Sequence, residues 1–357
     1  MPTPARARAD ACPGVFAPHD AADGPLARVR LPGGAVSAAQ LRALADCAEA
    51  CGDGDLHLTS RGNVQLRGVT RPGLAVRLAD AGLLPSPSHE RVRNVLASPL
   101  SGLHGGLADV RGLAAELDAL LCSTPELASL PGRFLFAFDD GRGDVAGEDA
   151  DVCWRALDAD EGTLLLAGGD TGRPVARADA VAALAEVALD FLRVRGTAWR
   201  VAELDDPAWR GTPVPRLPAE IPAGLIERDN GLAAAVVPRF GQLAAAQMRA
   251  LAEFGPALVT PWKSLVLPNA PADVFERLGF GGETLGTTAC IGRPGCAKSR
   301  ADVRADAVFR PGLRAHFSGC ERRCGKPSQS HVDVVAEADG YRVDGRWVPF
   351  DELKGKL

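Results

Sequence analysis

The sequence predicts an α+β fold built from a duplicated unit and two further α/β units. Three observations carry this reading: a segment that recurs in the second half of the chain, alternating short strands around amphipathic helices, and a cysteine-rich stretch near the C-terminus. The first copy of the repeat is LARVRLPGGAVSAAQLRALADCAEACGDGDLHLTSRGNVQLRGV, from Leu26 to Val69. The second is LAAAVVPRFGQLAAAQMRALAEFGPALVTPWKSLVLPN, from Leu232 to Asn269. The Ala-Gln-x-Arg-Ala-Leu-Ala core at 39–45 matches 246–252, and Thr59 falls on Thr260. Each copy reads as a strand, a Pro/Gly turn, a helix with apolar residues at i, i+3 and i+4, and two more short strands.

Two such halves can build one split, ferredoxin-like sheet. The boundaries expected are residues 1–75 for the first half-domain and 223–282 for the second. Between them, 89–222 reads as an α/β domain with helices at 107–122 and 176–194 and strands at 133–138 and 163–169. A Pro-rich linker, DDPAWRGTPVPRLPAEIPAG, closes that domain. Residues 283–357 form a last unit that carries four cysteines and ends in a strand-rich stretch.

Composition narrows the function. A chain of 357 residues with 46% hydrophobic content can bury more than one core. A net charge of −5 speaks against a general nucleic-acid binder. No apolar run is long enough for a membrane span, and no apolar segment follows the N-terminal arginines as in a secretory signal, so a cytoplasmic protein is expected. Lysine occurs only at 263, 298, 326, 354 and 356, so nearly all cations are arginine. GC-rich coding would produce that bias, and so would a need for forked carboxylate binding.

Nine cysteines, an odd number in a chain expected in a reducing compartment, disfavour a disulfide framework. Cys290, Cys296, Cys320 and Cys324 form the pattern C-x5-C-x23-C-x3-C. The first gap is too wide for a zinc knuckle. Four thiolates on Gly/Pro-rich loops suit an iron–sulfur cluster, since Gly292, Gly295, Gly319 and Gly325 would let backbone N–H groups approach the sulfurs. Packing as unliganded thiols is the plainer alternative.

The cysteine spacing resembles the [4Fe–4S] signature of the sulfite and nitrite reductase family. HLTSRGNVQLRG (57–68) resembles its Thr-x-Arg-x-x-x-Gln motif, RNVLASP (93–99) its Arg-Asn-Val block, and TLLLAGGDTG (163–172) its Gly-Gly strand end. The internal duplication is that family's plan as well. The resemblance therefore implies a nitrite/sulfite reductase-like architecture with a cluster held by the four cysteines. Within that superfamily, ACPGVFAPHDAADGPLARVRLPGG together with LTSRGNVQLRGV resembles the precorrin-3B synthases of aerobic cobalamin biosynthesis.

That resemblance implies an iron–sulfur monooxygenase. Its substrate would be precorrin-3A, hydroxylated at C-20 by O2 with closure of a γ-lactone. Arg61, Arg67, Arg93, Arg133 and Gln65 are the candidates to hold tetrapyrrole carboxylates, with Arg28, Arg30, Arg71 and Arg91 behind them. A non-haem iron is implied too, with His104 and His331 the candidates to bind it. No flavin or nicotinamide fingerprint is present, so a ferredoxin or an NADH-linked reductase would supply electrons. The competing implication is a short siroheme-dependent sulfite or nitrite reductase. The family's Arg-Lys-Phe-Lys block reads Gly132-Arg133-Phe134-Leu135 here, which removes a cation from the anion site that such a reductase needs.

Overall fold

The computed structural model describes residues 10, 12–215, 217, 221–283, 286–327 and 329–357. The duplication is plain in the element order. The first copy runs hairpin (His19–Ala21, Gly24–Val29), short strand (Ala35–Val36), helix (Ala38–Cys51) and strand pair (Asp55–Leu58, Val64–Leu66). The second runs Gly224–Arg228 and Gly231–Val236, then Gln242–Ala244, the helix Ala245–Ala252, and Ala257–Val259 with Leu265–Leu267.

The single split sheet expected from sequence is corrected here. The two copies build two antiparallel five-stranded sheets and trade strands between them. Ala35–Val36 of the first copy pairs with Ala257–Val259 of the second, and Gln242–Ala244 of the second pairs with Asp55–Leu58 of the first. The exchange covers one edge strand of each copy, which would otherwise present unpaired backbone groups. Gly34 marks a close approach: a Cβ there would lie 2.0 Å from the Val259 carbonyl oxygen.

The repeat helices pack against each other over one shared core, which joins Leu44, Leu56 and Leu66 to Met248, Leu251 and Leu267. Ser37 starts the first helix with a capping box. Its hydroxyl accepts from the Gln40 N–H at 3.1 Å, and the Gln40 side chain accepts from the Ser37 N–H at 3.0 Å. Ala244 occupies the same position in the second copy and keeps only the glutamine half of the box.

The middle domain is a six-stranded mixed sheet, with Val95–Ala97 and Phe136–Asp139 at one side. The helices Arg111–Ser123 and Ala180–Val194 pack against it around Phe134, Phe136, Phe191 and Trp154. The C-terminal domain is a five-stranded sheet. Thr287–Ala289, Ala315–Ser318 and Val332–Ala336 run parallel, and Gly340–Val343 and Arg346–Pro349 complete it as a hairpin.

Candidate functional site

The parallel pair Thr287–Ala289 and Ala315–Ser318 explains how distant cysteines meet. Cys290 directly follows the first strand, and Cys320 follows the second by way of Gly319. The Cys290 N–H continues the ladder to the Phe317 carbonyl at 2.9 Å. In return the Gly319 N–H points at the Cys290 sulfur at 3.2 Å. Burial pushes the Cys290 thiol up; the amides of Gly319 and Gly292 work against that, and the neighbouring Cys324 and Cys296 reinforce it. All four sulfurs are free thiols, three of them half-buried and Cys324 exposed. Gly319 cannot carry a side chain, because a Cβ would lie 1.9 Å from the Ser299 hydroxyl. A set of soft donors with amides aimed at sulfur fits an iron–sulfur cluster.

The arginines divide into two kinds. Arg67 forks onto Asp23 at 2.6 and 2.7 Å and also donates to the Gly295 carbonyl at 2.8 Å. It braces the first repeat against the C-x5-C loop. Arg93 forks onto Asp118 of the helix Arg111–Ser123 at 2.6 and 2.7 Å. Both guanidiniums are already matched to a carboxylate. Arg71 is likewise used up on the carbonyls of Glu49 and Gly52, and Arg91 donates to the carbonyl of Asp10.

The second kind lacks such partners. Arg30 is 2% exposed, and none of its three guanidinium nitrogens has a hydrogen-bond partner among the described residues. Burial brings its pKa down to about 9, helped by the charge of Arg28 and opposed by Cys12 and Glu90. Arg28 donates to the Gln65 side chain at 2.8 Å and leaves its Nε unpaired. Burial lowers Arg61 to about 10, with Arg200 adding to the effect. One Arg61 nitrogen donates to the Arg133 carbonyl at 2.9 Å, while the Arg133 guanidinium stacks over the Trp199 ring at 5.0 Å. Arg28, Arg30 and Arg61 thus lie within reach of one another's charge, beside Cys12. Crowded, desolvated cations of this kind are poised for anionic groups. Leu135, where the family pattern has a cation, is buried in the middle domain.

Two asparagines missed in the sequence reading join these motif blocks. Asn63 accepts from the Leu31 N–H at 2.8 Å and donates to the Asn94 side chain at 3.3 Å. Asn94 in turn donates to the Gly132 carbonyl at 2.9 Å. Both are fully buried, and their place between motif arginines was the available signal.

The two histidine candidates have separate surroundings. His104 is exposed and bonds the Glu227 carbonyl through Nδ1. His331 lies in the cysteine domain, its ring 6.0 Å from that of His316. His316 and Asp333 are cross-strand neighbours, so His316, His331 and Asp333 share the sheet face opposite the Phe317 core. Each holds one atom fixed and one free. His316 Nδ1 meets the Thr288 hydroxyl at 2.8 Å, His331 Nδ1 meets the Gln329 carbonyl at 2.7 Å, and one Asp333 oxygen takes Arg323 at 2.8 Å. The remaining atoms, both Nε2 nitrogens and the other Asp333 oxygen, are buried with no hydrogen-bond partner within bonding distance among the described residues, and the Cys324 main chain lies beside the His316 ring. Two imidazoles and a carboxylate suit non-haem iron. Their free atoms stand farther apart than those of Asp139, Asp140 and Asp144, whose oxygens lie within 4.8 Å of one another. That acidic trio is matched by Arg142, Ser98 and backbone amides.

Comparison with known proteins follows the same lines. Residues 19–75 match the nitrite/sulfite reductase ferredoxin-like half domain. A precorrin-3B synthase from Sinorhizobium sp is 26% identical, across 95% of this chain and 83% of that protein. The chain therefore carries a nitrite/sulfite reductase ferredoxin-like half domain and is similar along most of its length to a precorrin-3B synthase. A ferredoxin–nitrite reductase from Leptolyngbya laminosa is 34% identical, but over only 31% of the chain and 24% of its own length. The structure of the Mycobacterium tuberculosis NirA protein shares the fold, with a TM-score of 0.68 at 21% identity over 93% of this chain and 79% of that one. That likeness agrees with the α+β fold described above. No helix among the described residues is long and apolar enough to cross a membrane.

Proposed function

We propose that this chain is a precorrin-3B synthase: it hydroxylates precorrin-3A at C-20 with O2 and the ring-A acetate closes a γ-lactone. The observation that carries this reading is the group of Arg30, Arg28 and Arg61, three clustered guanidiniums with no carboxylate hydrogen-bonded to them among the described residues. A tetrapyrrole rimmed with acetates and propionates supplies the carboxylates those guanidiniums lack. Gln65 holds Arg28 in place, and the Arg133 main chain does the same for Arg61. Arg67 and Arg93 act instead as braces that fix the cavity walls. The full-length similarity to a precorrin-3B synthase supports the substrate class.

Cys290, Cys296, Cys320 and Cys324 would hold a [4Fe–4S] cluster, and His316, His331 and Asp333 a non-haem iron. Together these groups supply one-electron transfer and the activation of O2. One oxygen atom enters the product; the other leaves as water, with electrons and protons from an external donor such as a ferredoxin or an NADH-linked reductase. Arg28, Arg30 and Arg61 would orient the macrocycle through its carboxylates. Turnover under 18-O2 tests the reading: label in the product is expected, and an unlabelled product refutes it.

The siroheme-dependent sulfite or nitrite reductase remains the second reading, because local identity to a ferredoxin–nitrite reductase is 34%. Leu135 speaks against it. Removing one charge-stabilising group from a preorganised anion site costs about 100- to 1,000-fold in rate.

A further inference from the structure

The second copy of the repeat places a half-buried lysine against the cysteine site. Lys263 sits in the turn Thr260–Ser264, closed by the Thr260 N–H to the Ser264 carbonyl at 2.9 Å. The first copy has the same turn, Thr59–Asn63, also closed at 2.9 Å. In that copy the left-handed position is Gly62, with φ +61°; in the second it is Lys263, with φ +58°. A long side chain in that conformation is unfavourable by itself. Two glycines accommodate it. A Cβ on Gly241 would lie 2.7 Å from the Lys263 Cβ, and a Cβ on Gly325 would lie 2.9 Å from Nζ. Gly325 directly follows Cys324, so the ammonium rests against the last cysteine loop. Among the described residues no carboxylate pairs with it. Burial lowers its pKa and Arg304 adds to this, whereas Cys290 and Cys324 favour its charge.

We propose that Lys263 is a positioning residue that holds a fixed positive charge beside Cys290 and Cys324 and makes the cluster at those sulfurs easier to reduce. The proposal rests on the cluster reading above. Each reduction adds one electron to a cluster already bearing thiolate charge, and a nearby cation in a low-dielectric setting stabilises the added electron. No bond forms or breaks, and the electron comes from the external donor.

The test is a redox titration of the full, cluster-loaded protein with dithionite, read by electron paramagnetic resonance. Lys263→Asn removes the charge and tolerates the left-handed backbone. It should keep its iron, sulfide and visible spectrum, while its reduction equilibrium shifts about ten-fold or more toward the oxidised state. For one electron, ten-fold corresponds to 59 mV. Lys263→Arg should stay within about three-fold of the parent. Lys263→Gln is the second uncharged variant if Lys263→Asn does not accumulate. An unchanged equilibrium in an uncharged variant that retains its cluster overturns the role of Lys263. A parent protein without iron and sulfide overturns the cluster reading instead, so the two failures are distinct.

Discussion

The two copies of the repeat share one turn and use it for different chemistry. In Thr59–Asn63 the threonine hydroxyl accepts from the Arg61 and Asn63 amides at 3.3 and 3.1 Å. In Thr260–Ser264 the same hydroxyl accepts from Trp262 and Ser264 at 3.2 and 3.4 Å. The first turn delivers Arg61 to the group it forms with Arg28 and Arg30. The second delivers Lys263 to the cysteines, and Trp262 to Glu148 at 2.9 Å. Duplication supplied the backbone, and substitution at two adjacent positions gave each copy its own charge and its own target.

If the second turn serves a cluster, losing one of its sulfurs should have the largest effect. Cys290→Ser or Cys324→Ser should abolish bound iron, sulfide and visible absorbance together with activity. A serine variant that retains both spectrum and turnover breaks the comparison on that side.

On the first side, the contrast between Arg30 and Arg93 sharpens it. Arg93→Met strands Asp118, whose side chain is 19% exposed, and should cost about 3 kcal/mol by denaturant titration. Arg30→Met removes a cation without a hydrogen-bond partner among the described residues, so stability should hold or rise while tetrapyrrole affinity falls about ten-fold or more. If Arg30→Met lowers stability about as much as Arg93→Met and leaves binding intact, Arg30 is a brace like Arg93.

The smallest expected effect is a pH dependence at His57, which lies between the two sites. Burial first, then the charges of Arg304 and Arg67, hold its imidazole down at about 3, while Asp23 pulls it up. The unfolded imidazole takes its proton near pH 6.5. Between those values the unfolded chain binds the extra proton, so this contribution to stability is lost as pH falls. Relative to His57→Gln, the parent should lose about 2 kcal/mol between neutral pH and roughly pH 5. Parallel stability curves for the two proteins would contradict this.

Much of this architecture was legible in sequence. The repeat, its helices, the strand pairs and the cysteine spacing depend on local periodicity and on residues near one another in the chain. The strand exchange did not: Ala35–Val36 has an ordinary strand pattern, and only the assembled fold determines which edge it joins. The motif arginines were likewise visible, but not which of them were already paired. Asp118 lies far from Arg93 along the chain and meets it only because the helix packs there. His316 and Asp333 escaped notice for the same reason, since strand register makes them neighbours.

Under the proposed function the arginine group binds substrate while the cysteines hold a cluster. Anaerobic purification followed by acid-acetone extraction, with iron and sulfide counts on the same sample, tests it most directly. The account predicts a cluster, additional iron and no siroheme, with the cavity left free for a precorrin. Stoichiometric siroheme in the extract would contradict it and give the cavity to a cofactor.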